Sequence, residues 1–404
     1  DSTFVSSVGQ FVDRFETDLA AYTGAKFAIA VVNGTSALHV ALKLADVEVN
    51  DEVLIPALTF VATANAVTYC GAIPHFVDSE STSLGIDAAH LRQYLKEHTE
   101  QISGQCMNRS TQRVIRAIVP MHTFGHPSDI EALMAVAADF NLALVEDAAE
   151  SLGSYYKGKH TGSFGQLGVF SFNGNKIITT SGGGALVSSN KKYIDQAKFL
   201  STQARDEAPH YQHSQIGYNY RMSNIVAGIG RGQMEVLDLR VSQRRANNER
   251  YRKFFAGVPG IIFQTEPNAD YFSNYWLTAI LIDPSLTGGI SRENVRLALE
   301  AENIESRPLW KPMHQQPVFS SSKSYLNGVS DKLFEDGLCL PSGSNLTLEE
   351  FDRIFKVLKR IFKKNFLVQC SFHDRCLLQN FSMKDFEQII YKNKYYRLFG
   401  VNYE

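Results

Sequence analysis

Short apolar runs alternate with stretches of helical spacing through the first half of the chain. Residues 27–32 form one such run, ending in Asn33-Gly34-Thr35-Ser36, after which Ala37, Leu38, Val40, Ala41 and Leu44 recur at helical intervals. Residues 52–56 predict a second strand, followed by a helical stretch over 63–69. Two more buried strands are predicted at 115–121 and 142–146, with an amphipathic helix over 129–140 between them. Strands alternating with helices at this spacing predict an α/β fold whose mostly parallel central sheet is covered on both faces. Residues 168–172 and 184–189 add two strands around a turn-like segment.

From Ser223 the pattern changes. A long helical region rich in Arg, Gln and Asn runs to Phe255 and reads as a connection. After it come a predicted strand at 275–282, a helix at 292–302 and an amphipathic helix at 348–364, which together predict a smaller α+β domain. The expected organisation is a large domain over 1–237, a small domain with its linking helix over 238–364, and a C-terminal extension over 365–404. That extension is rich in Phe, Tyr, Lys and Asn and has no functional reading. No repeats occur at solenoid periods.

Composition narrows the class. With 404 residues, 44% hydrophobic and 20% charged, the chain can bury a large domain and a smaller one, which excludes a disordered scaffold. Forty basic against 42 acidic residues give a net charge of −2, too balanced for the footprint of a nucleic-acid binder. No apolar run approaches the ~18 residues of a membrane span, and Asp1-Ser2-Thr3-Phe4 lacks the regions of a signal peptide. The five cysteines are scattered without a Cys-x-x-Cys pair, so reduced thiols are expected and no metal site is. The expectation is a soluble, cytoplasmic protein.

Three segments could carry chemistry. Val145-Glu146-Asp147-Ala148-Ala149-Glu150-Ser151 stands at a strand's C-terminal end, where ligands sit in open α/β sheets. A carboxylate there can pair with a ring nitrogen or sugar hydroxyl, or Asp147 can simply cap a turn. Phe170-Ser171-Phe172-Asn173-Gly174-Asn175-Lys176, followed by Thr179-Thr180-Ser181-Gly182-Gly183-Gly184, puts a lysine in a turn between buried strands. A desolvated amine is a nucleophile for carbonyls, whereas a solvated one is a surface charge. Asn33-Gly34-Thr35-Ser36 at a strand-to-helix junction is a phosphate cradle or a plain N-cap, but not a P-loop. Phe60, after the strand at 52–56, is an aromatic for a flat cofactor or a core residue. Leu309-Trp310-Lys311-Pro312-Met313-His314 suits a polyanionic substrate or an interface turn equally. The order of phosphate turn, aromatic, Asp, Ser and Lys in one α/β domain is what a pyridoxal phosphate site requires.

On these residues the chain resembles the DegT/DnrJ/EryC1/StrS sugar aminotransferases. Asn33-Gly34-Thr35-Ser36-Ala37-Leu38, Ile118-Val119-Pro120-Met121-His122 with Gly125-His126-Pro127, Glu146-Asp147-Ala148-Ala149-Glu150, and Ser171 ahead of Lys176 carry the likeness, over about residues 1–364. The resemblance implies fold type I of the pyridoxal 5'-phosphate-dependent transferases, aspartate-aminotransferase-like, with L-glutamate and a nucleotide-linked keto-sugar as substrates. Asn173-Gly174-Asn175-Lys176 with its triple glycine, and Arg307-Pro308-Leu309-Trp310-Lys311-Pro312, look most like a subgroup that aminates carbon 4 of UDP-4-keto-6-deoxy-N-acetylglucosamine for surface glycans. A GDP-4-keto-6-deoxy-mannose (perosamine-type) enzyme, a carbon-3 aminotransferase and a non-catalytic protein of the same fold are the alternatives.

Residue by residue, the resemblance implies that Lys176 is the catalytic residue, binding the cofactor covalently and then shuttling a proton. Asp147 is implied at the ring nitrogen, Phe60 stacked on the ring, and Thr35, Ser36 and Ser171 around the phosphate. Glu150 occupies a position near the ring hydroxyl where relatives carry Gln or His. Asn219 matches an Asn that reaches the phosphate of the other subunit, which implies a homodimer with shared active sites. Arg221, Lys311 and His314 are the candidates for the nucleotide-sugar. The sequence departs from the family where a common Gly-Glu-Gly-Gly is replaced by Ser181-Gly182-Gly183-Gly184.

Overall fold

The computed structural model describes residues 6–363 and Asn365, so the extension singled out above lies almost wholly outside the described residues. The main sheet runs in the order Phe27–Val31, Gly184–Ser188, Leu167–Ser171, Ala143–Asp147, Val114–Ile118, Glu52–Pro56, Ile73–Val77 and Ser324–Tyr325, with the hairpin strands Thr99–Ile102 and Gln105–Asn108 attached beside Val114–Ile118. From Leu167–Ser171 to Ser324–Tyr325 every neighbouring pair on this path is parallel. Gly184–Ser188 alone runs the other way on the path, antiparallel both to Leu167–Ser171 and to Phe27–Val31.

Strand alternation sorts the side chains onto the two faces of the sheet. Ile29, Val31, Val53, Ile55, Val145, Val169 and Leu186 join one cluster, with residues of the helices Gly34–Leu44, Val61–Tyr69 and Lys191–Ser201. Their neighbours in sequence turn the opposite way. Ala28, Ala30, Phe170 and Val187 pack with the helix Gln10–Thr23, and Leu54, Ile118 and Leu144 with the helices Ala88–His98 and Ile130–Asp139.

A separate antiparallel sheet, Ile261–Phe263, Thr278–Ile282, Gly337–Leu340 and Arg307–Pro308, carries the helices Arg292–Glu300 and Leu348–Ile361. Its core is aromatic. Phe254 stacks on Phe355 at 4.3 Å between ring centroids, and the buried Tyr251 hydroxyl donates to the Pro341 carbonyl at 2.9 Å.

Several sequence expectations are refined. The helical region over 223–255 is two helices, Asn224–Met234 and Leu237–Phe254, parted at Glu235 and Val236. The strand predicted at 115–121 ends at Ile118, because Pro120 has no N–H to continue a ladder. The strand predicted from Tyr275 begins at Thr278, since Tyr275 holds a left-handed φ of 45°. The strand Ile73–Val77 was not predicted; Pro74 and His75 interrupt its apolar run, and both are buried.

Candidate active site

The carboxyl ends of the parallel strands lie along one edge of the sheet, and the turns leaving them build the site. The Phe27–Val31 strand leads into Asn33, whose side chain accepts the Ser36 N–H at 2.8 Å and caps the helix Gly34–Leu44. No acidic side chain occupies that helix's first turn, so its free amides face no competing carboxylate. Gly34 is required there: a Cβ on it would stand 2.9 Å from the Ser171 Cβ. Gly184 is pinned for the same reason, since a Cβ would run into the Asn33 and Gly34 backbone. Thr35, Ser36 and Ser171 therefore belong to one cradle, formed by the helix N-terminus and the end of the strand Leu167–Ser171.

Asp147 closes the strand Ala143–Asp147 and is buried. Burial pushes its carboxyl above the usual range, opposed by the Thr63 hydroxyl, which donates to Oδ2 at 2.8 Å, and by the Ala149 N–H on Oδ1 at 3.2 Å. Three residues on, Glu150 is buried as well. It accepts the Phe124 N–H at 2.9 Å and the Lys176 amine at 3.1 Å, and burial still pushes its carboxyl up to about 7. Phe124 reaches this position in the left-handed region, at φ 58°. Strain of this kind in a bulky residue marks a place where the surroundings dictate the backbone.

Lys176 thus meets Glu150 directly and feels Asp147 electrostatically. Its side chain is 11% exposed, so the amine is largely shielded from water while still reachable. Phe60 is half exposed, with its ring 6.3 Å from Trp310, and Trp310 packs on Phe124 at 4.6 Å. The turn 309–314 is joined to the turn at 57–60 by the Met313 N–H, which donates to the Ala57 carbonyl at 2.8 Å. Lys311 is exposed on that turn, while His314 pairs with Asp331 at 2.9 Å. Asn219 is exposed between Tyr218 and Tyr220, whose rings stack at 4.9 Å. Arg221 is committed elsewhere: its Nη1 donates to Glu16 at 2.6 Å and to the Ala30 carbonyl at 2.9 Å, so this guanidinium nitrogen is not free for a substrate.

Pyridoxal phosphate fits these residues. The cradle suits a phosphate, a buried carboxylate at a strand end suits a protonated ring nitrogen, and the shielded amine suits an aldehyde. Sequence reasoning missed four contributors. Thr63 orients Asp147. Phe124 supplies the N–H to Glu150. Asn274 and Trp276 arrive from 124 and 100 residues further along the chain, counted from Glu150 and Lys176. The one available signal was scarcity, because Trp276 is one of two tryptophans. Glu146, next to Asp147, is structural: it accepts the His122 imidazole at 3.1 Å and the amides of Gly162, Phe164 and Gly165 at 2.8, 2.6 and 2.7 Å.

Comparison with known proteins bears on this geometry. The model of the DegT/DnrJ/EryC1/StrS aminotransferase family matches residues 1–359. The protein EpsN of Bacillus subtilis (strain 168), which carries the name of a pyridoxal phosphate-dependent aminotransferase, is 42% identical over 365 residues, 89% of this chain and 90% of its own. A GDP-perosamine synthase of Caulobacter vibrioides is 35% identical over 363 residues, 89% of this chain and 92% of its own. Among solved structures, a DegT/DnrJ/EryC1/StrS aminotransferase from Brucella abortus superposes with a TM-score of 0.79 at 26% identity, covering 89% of this chain and 92% of that one.

Proposed function

The chain belongs to the DegT/DnrJ/EryC1/StrS aminotransferase family, and from that premise we propose that it transfers an amino group from L-glutamate to carbon 4 of a UDP-linked 4-keto-6-deoxy-N-acetylhexosamine. It is a pyridoxal phosphate-dependent sugar aminotransferase of fold type I, acting in nucleotide-sugar biosynthesis. The observation that carries the reading is the Lys176 amine held 3.1 Å from Glu150 at the strand end that also bears Asp147.

Bound there, the cofactor would supply an aldehyde for an amine and a ring that withdraws electrons from the adjacent carbon. The protein's residues do the rest. Asp147, whose oxygens accept the Thr63 hydroxyl and the Ala149 amide against the upward push of burial, would pair with the protonated ring nitrogen. The amides of the helix N-terminus, with Thr35, Ser36 and Ser171, would hold the phosphate. Phe60 would cover the ring from the open side. Lys176, once its amine is free, would carry a proton between donor, cofactor and sugar carbons. Glu150, titrating near neutrality and in contact with Lys176, can accept that amine's proton and return it. Asn219, exposed beside the cradle residue Ser36's partner Tyr220, is read as a donor to the phosphate of a second copy.

A second reading replaces UDP with GDP. It is favoured by GDP-perosamine synthases at 34–35% identity over most of the chain. Both readings place the reaction at carbon 4 of a 4-keto-6-deoxy sugar. The test is product formation from glutamate with the UDP-linked N-acetylhexosamine and with the GDP-linked keto-hexose, compared by kcat/KM. Preference for the UDP sugar supports the first reading, and preference for the GDP sugar replaces it with the second. Turnover of neither would refute both.

A further inference from the structure

We infer that Trp276 is a positioning residue for Lys176, its indole face and Glu150 holding the lysine amine between them, with Asn274 as the anchor of the clasp. The inference rests on the proposed role of Lys176 as the residue that binds the cofactor.

The geometry has three parts. The Lys176 Nζ lies 4.3 Å from the centroid of the Trp276 ring and 3.1 Å from Glu150 Oε1. A cation above an indole face is attracted by the ring's negative quadrupole, and the attraction grows when both are withdrawn from water. Trp276 is 4% exposed. The indole N–H also donates to the Asn175 carbonyl at 2.8 Å. Among the described residues, that is the one hydrogen bond joining residues 173–175 to anything outside 171–176, so the turn before the lysine is held from beyond itself by this tryptophan.

Asn274 ties the other side. Its Nδ2 donates to the carbonyls of Glu150 and Leu152, both at 2.9 Å, and its Oδ1 accepts the Trp276 backbone N–H at 2.8 Å. Its side chain presses so closely on Gly125 that no Cβ could be added there. Arg244 fixes the next link, donating to the Trp276 carbonyl at 2.8 Å. One short segment, entering from the second sheet, therefore grips the Glu150 backbone and the Lys176 turn at once. A tryptophan that only filled the core would need neither its ring over the amine nor its N–H on the lysine turn.

The test uses the full chain stripped of cofactor. Pyridoxal phosphate is added, samples are quenched with borohydride at intervals, and the label on the Lys176 peptide is followed by mass spectrometry. Trp276→Leu keeps an apolar side chain but removes ring and N–H, and is expected to slow labelling about tenfold, the size of one desolvated cation–π contact. Trp276→Phe keeps a ring face and is expected to stay within about threefold of wild type. Melting temperatures of both variants verify folding. Wild-type labelling in a folded Trp276→Leu protein overturns the inference. Equal slowing in the two variants does too, because the ring face would then contribute nothing. Should Trp276→Leu fail to fold, a tenfold loss in Trp276→Phe overturns it alone. Absence of Lys176 labelling in wild type refutes the functional reading instead, an outcome distinct from either.

Discussion

Replacing Glu150 with Gln should change how the protein's stability depends on pH. Burial raises the Glu150 carboxyl from 4.5 to about 7, against the opposing pull of Lys176 and the Phe124 N–H, and with Asp147 adding to the rise. The native state therefore binds a proton that the unfolded state has released anywhere between pH 4.5 and 7. This group's contribution is fully present below pH 4.5 and is lost as pH rises through about 7. At about 1.4 kcal/mol per pH unit, the loss across that window is roughly 3 kcal/mol. Glutamine does not titrate, so Glu150→Gln removes this slope while keeping an acceptor for Phe124. Urea unfolding of both cofactor-free proteins, at one concentration and from pH 4.5 to 8, measures the difference. The stability of wild type minus variant should fall by roughly 3 kcal/mol on going up the range. A difference that stays level within about 1 kcal/mol would refute the reasoning that burial outweighs Lys176 at this carboxyl.

Other perturbations probe the rest of the site. Thr63→Val removes the hydroxyl that opposes the upward push of burial on Asp147, and pyridoxal phosphate affinity, read by fluorescence titration, should weaken about tenfold. Gly34→Ala sets a Cβ 2.9 Å from the Ser171 Cβ and so spreads the cradle. Cofactor affinity should fall at least about tenfold in the same titration, while the melting temperature of the cofactor-free protein moves by a few degrees at most. His122→Ala leaves the buried Glu146 without its imidazole and should cost roughly 3 kcal/mol in urea unfolding.

Elements whose order is written locally were legible. The strand Glu52–Pro56 was read at its true ends, because polar residues precede it and a proline, which has no N–H to continue a ladder, closes it. The cap at Asn33 and the helix after it follow from an Asn before a helical repeat. The turn at Asn33–Ser36, Asp147 and Lys176 stand out in the sequence because each lies at a strand-to-turn junction. What escaped was set by distant packing. Nothing near Lys176 in sequence announces Trp276, and Asn274 matters only because Gly125 and Glu150 are folded against it. Arg221 was a nucleotide-sugar candidate on the resemblance, and only the folded chain shows Glu16 beside it. Gly184–Ser188 read as one more buried strand, since its direction leaves no trace in a run that is buried throughout.

The measurement that tests the account most directly is an absorbance record of the protein with pyridoxal phosphate, first alone, then after L-glutamate, then after the keto-sugar nucleotide. The account predicts a yellow band that glutamate removes and the keto-sugar restores, with neither change in Lys176→Ala. A Lys176→Ala protein that shows the same band and the same cycle would contradict it, because the amine beside Glu150 would then be neither the cofactor's anchor nor its proton carrier.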